Sequence, residues 1–161
     1  MQKFSFARGS RAFTLIELLV VISIIGILAL IILPNMVGIR GRARDTALKA
    51  DLTQMKTALR LYYNDKQQYP TDNGGGVMNG CGVDGESACS VAGEFSDSTS
   101  GTLYMKQLPE DFYYEMAAAG DDFFAYAVLE NLSDESIATS VDRCASVIGT
   151  PVEGAFYVCS D

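Results

Sequence analysis

The sequence predicts an α+β protein in which a long N-terminal helix packs on a small antiparallel β-sheet. Three observations support this fold class: an apolar run near the N-terminus, an amphipathic stretch after it, and alternating aromatic segments in the C-terminal half. A chain of 161 residues is long enough for one domain beside the apolar run. No internal repeat is apparent, so we expect a single folded body after that run.

The first element is an apolar helix. Residues 18–39 contain no charged residue, and about 20 helical residues cross the roughly 30 Å hydrocarbon layer of a membrane. Pro34 stands within this run, and a proline inside a helix removes a hydrogen bond and produces a bend. We therefore expect one long helix from about Phe13 to Asn64, kinked near Pro34.

The second half of this helix is amphipathic. From Arg44 onward apolar residues recur at spacings of three and four, and charged residues occupy the other faces. The apolar positions are Leu48, Leu52, Met55, Leu59 and Tyr62. We expect this stripe to form the core against the sheet. Pro70 and the three glycines that follow it exclude a continuation of the helix.

The C-terminal half predicts three strands, because its segments are aromatic and alternate in polarity. They are residues 111–116 (DFYYEM), 123–131 (FFAYAVLEN) and 154–160 (GAFYVCS). Residues 133–142 predict either a short capped helix or an irregular loop, and the sequence does not decide between them. Residues 74–101 are rich in Gly, Ser and Asp and predict a surface loop.

Composition excludes several classes of function. The formal net charge is −8 and the chain has no histidine, so a Ser-His-Asp or Cys-His catalytic site is impossible. From residue 67 onward the sequence contains 16 acidic residues and only two basic residues. This acidic excess argues against a nucleic-acid site. We expect no catalytic residue and no cofactor. The pair Asp121 and Asp122 is a weak Ca²⁺ candidate, since no EF-hand spacing is present and a solvated surface explains it better.

Four cysteines follow the apolar run, at Cys81, Cys89, Cys144 and Cys159. An even number of cysteines beyond a predicted span indicates disulfides in an oxidising compartment, and the spacings lack the close pairs of a zinc site. Four cysteines allow three pairings. A short bridge would pin the loop that contains the first two, and a bridge between the last two would close a hairpin-like edge of the sheet.

The string AFTLIE, followed by the apolar run, resembles the type IV prepilin family, which includes the pseudopilins of type II secretion. The resemblance implies that a prepilin peptidase cuts between Ala12 and Phe13 and that the new N-terminal Phe13 is methylated. Ala12 departs from the family's usual glycine. The implied parts are a basic leader at 1–12, a transmembrane and filament-core helix at 13–34, and an extracytoplasmic head at 35–161.

The resemblance also implies roles inside the apolar segment. Gly26 and Pro34 match a glycine and a proline of the family pattern, and both lower helix stability, which would let the segment between them extend or lose helical order during packing. For Gly26 alone, the tolerance of membrane helices for glycine is an equally good explanation. Glu17 lies four residues after Phe13, about 6 Å along a helix axis. We expect Glu17 of one copy to pair with the Phe13 amine of a neighbour and to set the register between copies. The alternative is an acid that merely lies at the headgroup level.

Membership of this family would make the chain a non-catalytic subunit precursor of a type IV pilus or pilus-like filament that serves adhesion, motility, uptake or secretion. Its expected partners are other copies of itself or related pilins, the prepilin peptidase and methyltransferase, a membrane assembly platform with its ATPase, and the lipid bilayer before assembly. Before cleavage its N-terminus would be cytoplasmic in the cytoplasmic membrane, and the product an extracellular pilus or periplasmic pseudopilus. Two alternatives stay open: a type II secretion pseudopilin, and a single-pass anchored extracellular binding domain that never polymerises.

Overall fold

The computed structural model describes residues 13–32, 36–82, 86–97, 100–117 and 119–160. The chain forms two compact units, and the boundary between them falls between Ile39 and Arg40. The α+β class is confirmed, because helices and a small antiparallel sheet are both present.

Helix α1 spans Leu15–Ile32 and is apolar on every face. All side chains from Phe13 to Leu30 are exposed, and such a surface is typical of helices that a larger assembly or a membrane buries. Among the residues that the structure describes, none of the helices combines the length and the apolar character that crossing a membrane requires. Pro34 lies outside the described residues, so the kink stays a prediction.

Helix α2 spans Met36–Lys66 and supplies one wall of the core. Leu52, Met55 and Leu59 are fully buried, as the apolar stripe predicts. The helix ends at Lys66 because Gln67 adopts a left-handed conformation, with φ of 58°, and its N–H donates to the Tyr63 carbonyl at 2.7 Å. A left-handed residue of this kind is a common helix stop.

The opposite wall is a three-stranded antiparallel sheet whose strands lie in chain order, which confirms the three predicted strands. β5 spans Tyr113–Met116, β6 spans Phe123–Val128 and β7 spans Ala155–Cys159. Ala125 of β6 pairs with Tyr114 on one side and with Val158 on the other. These three side chains belong to the same buried cluster as the α2 stripe, so the sheet packs on the helix as expected.

The prediction of a surface loop at 74–101 is wrong, because this part of the chain forms strands and contributes side chains to the core. The short strands are β1 (Asn79–Cys81), β2 (Ser87–Ala88), β3 (Phe95–Asp97) and, just after the predicted loop, β4 (Thr102–Met105). β1 pairs with β2, and β3 pairs with β4. Met78 and Phe95 are fully buried. β1, β2 and β3 have only two or three residues each, which is too short to show alternation in a sequence.

The undecided stretch at 133–142 is a helix, α3, which spans Glu135–Arg143. The Asp134 side chain accepts the Ser136 N–H at 2.9 Å and caps its N-terminus. Cys144 caps the other end and is bonded to Cys159 of β7. The prediction that this bridge closes a hairpin-like edge of the sheet is therefore wrong, because the bridge joins the end of a helix to a strand.

The second disulfide joins Cys81 to Cys89 and closes the β1-β2 ladder. The Cys89 N–H also donates to the Met78 carbonyl at 2.8 Å. The structure thus selects one of the three pairings that the sequence left open. Within the part of the chain that the structure describes, no free cysteine remains.

Replacement of the Cys144–Cys159 bridge by two alanines should lower the free energy of unfolding by about 3 kcal/mol, since the bridge closes a 15-residue loop in the unfolded chain. Chemical denaturation of the full chain in detergent micelles measures this change. The double alanine variant of Cys81 and Cys89 serves as a comparison. An unfolding curve that coincides with that of the unsubstituted chain would contradict a stabilising role for the 144–159 bridge.

Candidate assembly site

Thr14 and Glu17 form a capping box at the start of α1. The Thr14 backbone N–H donates to Glu17 Oε2 at 2.9 Å, and the Thr14 hydroxyl donates to the same oxygen at 2.8 Å. In return the Glu17 N–H donates to Thr14 Oγ1 at 3.3 Å. A Thr at the N-cap and a Glu three residues later satisfy each other's backbone N–H groups in this way. The Glu17 carboxylate therefore caps the start of its own helix.

The sequence analysis did not predict this capping role, although the sequence carries the pattern that indicates it. Thr14 and Glu17 stand three residues apart immediately before an apolar run, and that spacing is the signature of a capping box. The expected role of Glu17 placed its partner only on another copy. The structure adds a partner within the chain, and both Thr14 bonds end on the same carboxylate oxygen.

The other predicted positions of this segment are Ala12, Phe13 and Gly26. The Phe13 side chain is 80% exposed, and Ala12 lies outside the described residues. A Cβ added at Gly26 would meet nothing within 4 Å, so packing within one copy does not require a glycine there. The Ser23 hydroxyl donates to the Leu19 carbonyl at 2.8 Å, which satisfies it inside the helix.

The weak Ca²⁺ candidate lies at the turn before β6, where Asp121 and Asp122 precede Phe123. Asp122 Oδ1 accepts the Phe123 N–H at 2.7 Å and also the Ser160 hydroxyl, while Asp121 is exposed. Among the described residues no group of three or more potential ligands could hold a metal ion.

A buried carboxylate fastens α2 to the end of β6. Asp45 is 3% exposed, and its two oxygens accept the backbone N–H groups of Glu130 and Asn131 at 2.8 and 2.9 Å. Next to it, Arg44 Nε lies 2.6 Å from Glu130 Oε1. These contacts join residues more than 80 positions apart, and no local pattern in the sequence indicates them.

An open cleft of about 660 Å³ lies beside these contacts. One side is a flank of α2 and the other is the segment from Met105 to Asp111, with the end of β6 at the base. The lining residues are Arg44, Asp45, Ala47, Leu48, Asp51, Gln54, Met105, Lys106, Gln107, Leu108, Pro109, Glu110, Asp111, Val128 and Glu130. The cleft thus combines an apolar floor with a charged rim.

Two further ion pairs hold α2 to the rest of the head. Lys49 Nζ lies 2.7 Å from Asp134 Oδ2, and the hydrogen bond from Lys49, with further bonds from Ser136, lowers the pKa of Asp134 to about 2. Lys66 Nζ lies 2.5 Å from Oδ2 of Asp97, which is almost fully buried. The hydrogen bond to Asp97 raises the pKa of Lys66.

The Asp134 carboxyl should titrate at about 2 by NMR. Because the folded pKa is depressed, its stabilising contribution is complete above the ordinary value of 3.8 and is lost as the pH falls from 3.8 towards 2. Lys49→Met should raise this pKa but leave it below 3.8, since the Ser136 bonds remain.

Lys66→Met is the matched control, since it breaks the other ion pair of α2 and should leave the Asp134 titration in place. A wild-type Asp134 that titrates near 3.8, or a pKa that Lys49→Met does not move, would show that the ion pair has no such effect.

An exposed apolar helix that opens on a capping box, followed by a disulfide-bonded head of helix and antiparallel sheet, defines a prepilin-like subunit. Residues 7–33 match the family model described as the prokaryotic N-terminal methylation motif. The chain is 30% identical over 124 residues to the type IV wide pilus major component PilA4 of Thermus thermophilus, which covers 70% of this chain and 92% of that protein. It is 32% identical over 116 residues to the type II secretion system core protein G of Aeromonas hydrophila, 70% of this chain and 76% of that protein.

This chain belongs to the family of type IV pilins and type II secretion pseudopilins. It is also 42% identical over 65 residues to the type II secretion system core protein G of Escherichia coli, and that match spans 40% of this chain and under half, 45%, of the relative. No solved structure matches the chain significantly. Members of this structural family are membrane-anchored, are processed by a prepilin peptidase, and self-assemble into filaments that are extracellular or periplasmic.

Proposed function

We propose that this chain is the precursor of a non-catalytic subunit of a type IV pilus or pilus-like filament. The observation that supports this most is the segment that begins at Phe13: an exposed apolar helix with a capping box, inside the stretch matched by the methylation motif. A prepilin peptidase removes residues 1–12 and the amine of Phe13 is methylated. Residues 13–34 then anchor the chain in the bilayer and later form the filament core, and residues 35–161 form the head.

The capping box and the expected pairing between copies are compatible. Both bonds from Thr14 end on Glu17 Oε2, and in the described structure no contact engages the other carboxylate oxygen. Glu17 can therefore keep its own helix start while Oε1 accepts the Phe13 amine of a neighbour. In a bundle that excludes water, such a pair is favoured mainly because either charge alone would be costly. The pair would fix the register between copies.

Two variants of Glu17 separate the cap from the charge. Glu17→Gln keeps a side chain that can accept the Thr14 N–H, since Gln also serves in capping boxes, but it removes the negative charge. Glu17→Ala removes both. If pairing with the neighbour's amine drives assembly, both variants should lose surface fibres, counted by immunolabelled electron microscopy.

Mass spectrometry of the mature N-terminus provides the control, because both variants should still begin at a methylated Phe13. Normal fibre counts with Glu17→Gln would show that capping alone is required and that the charge pairs with nothing. A wild-type chain that keeps Met1 would instead support a non-polymerising anchored domain.

A second candidate function is a pseudopilin of type II secretion. It is favoured by the similarity to type II secretion core proteins over the N-terminal part and, in Aeromonas hydrophila, over 70% of the chain. In either case the proposed partners are a membrane assembly platform, its ATPase and other pilin-like chains. Deletion distinguishes the candidates, because loss of a pseudopilin abolishes export of secreted proteins and loss of a pilus subunit abolishes surface fibres.

A further inference from the structure

Arg42 and Asp51, two residues of opposite charge, lie on opposite flanks of α2. A helix turns about 100° per residue, so the nine residues from Arg42 to Asp51 correspond to about two and a half turns. These two side chains therefore project from opposite flanks of α2. Asp51 lines the cleft, whereas Arg42 is exposed on the far flank.

The cleft rim has a surplus of negative charge that its own chain does not neutralise. Asp51, Glu110 and Asp111 line the cleft, and within the described part of the chain none of the three carboxylates has a hydrogen bond or an ion pair. Lys106 is the opposing cation on the same rim. These three carboxylates and one ammonium leave a formal charge of −2, and the buried Asp45, which also lines the cleft, is a further acid. Glu130 does not add to it, because Arg44 pairs with it.

Arg42, in contrast to these carboxylates, is a positively charged side chain that lacks a partner of opposite charge within the described part of its own chain. The neighbouring cations Arg44 and Lys49 both have carboxylate partners at 2.6 and 2.7 Å. For the guanidinium of Arg42 no such partner exists among the described residues, and the side chain is exposed. Since it lies on the far flank and about 13 Å from Asp51 along the axis, it cannot reach the cleft of its own chain.

We propose that Arg42 of one copy enters the acidic cleft of the next copy, where it pairs with Asp111, Glu110 and Asp51. This proposal rests on the proposed filament function. It adds to that function the surface of the head through which neighbouring copies contact each other. The cleft accepts a guanidinium well, because Met105 and Val128 provide apolar surface for the methylene stem while the carboxylates meet the charge.

The placement of the two surfaces explains why a second copy is the occupant. A contact between two different surfaces of the same chain is heterologous, and repetition of such a contact builds a ring or an open helical filament. Because the surfaces lie on opposite flanks of one helix, each copy can use both at once. The axial separation of about 13 Å requires neighbouring copies to be staggered along α2, as in a helical polymer.

The test is a charge exchange in the full chain. Arg42→Glu and Asp111→Arg should each lower the number of surface fibres about tenfold, because like charges then face each other. The double variant should recover most of the fibres, since the pair is restored in reversed order. Arg40→Glu is the matched control: it changes the same kind of exposed residue by the same charge, but Arg40 lies on the flank of Asp51, eleven residues away.

The outcomes distinguish this contact from the proposed function. Wild-type fibres together with normal fibres from Arg42→Glu overturn the contact alone. Equal losses from Arg40→Glu and Arg42→Glu also overturn it, because they indicate a general effect of charge. A wild-type chain that yields no fibres overturns the filament function, and this contact with it.

Cross-linking keeps the test decisive if a charge variant folds poorly. A chain with Arg42→Cys and Asp111→Cys should form a ladder of intermolecular disulfides after oxidation. The chain with Arg40→Cys and Asp111→Cys should remain monomeric under the same treatment. Equal ladders from both chains would overturn the proposal.

Discussion

The apolar surface of α1 is the constraint on which the rest of the molecule depends. Every side chain from Phe13 to Leu30 is exposed, and each square ångström of apolar surface left in water costs about 25 cal/mol. Within the helix itself, the Thr14–Glu17 box engages Oε2 of Glu17 and the Ser23 hydroxyl donates to a backbone carbonyl. Apart from Oε1 of Glu17, what remains is an apolar surface, which needs lipid or other copies to cover it.

The head has the opposite character, because it buries its own core. The α2 stripe, the three-stranded sheet and the short strands share one apolar cluster that includes the Cys81–Cys89 bridge. The Cys144–Cys159 bridge lies in a second, smaller cluster with Ala155 and Tyr157 of β7. Buried or half-buried acids then attach α2 to its neighbours: Asp45 to the end of β6, Asp97 to Lys66, and Asp134 to Lys49. The core, the disulfides and these contacts therefore hold the head together within one chain.

Much of this fold could be predicted from the sequence, and the parts that could not have a common cause. The stripe from Leu52 to Tyr62 and the strands around Tyr114, Phe123 and Val158 repeat over enough residues to show a period. The strands at Asn79–Cys81 and Ser87–Ala88 are too short for that. The place of Cys144 was misjudged because the sequence leaves residues 133–142 undecided between a capped helix and a loop, so it does not establish that this cysteine ends a helix.

The candidate site divides in the same way. The motif around Phe13 and Glu17 is local and could be recognised, and the capping role of Thr14 was equally local but was overlooked. The cleft and the contact between Asp45 and Asn131 arise from tertiary structure, since the two residues are 86 positions apart. Helical geometry predicts which residues share a flank of α2. It does not predict which flank lines a cleft, because that depends on where the segment from Met105 to Asp111 packs.

The most direct test of the central claim is a cryo-electron microscopy map of fibres purified with this subunit. The account predicts that α1 lies in the fibre interior and that the Phe13 amine of each copy lies within about 4 Å of a Glu17 carboxylate on a neighbour. A map in which α1 lies on the fibre surface, or in which Glu17 contacts only Thr14 of its own chain, would contradict it.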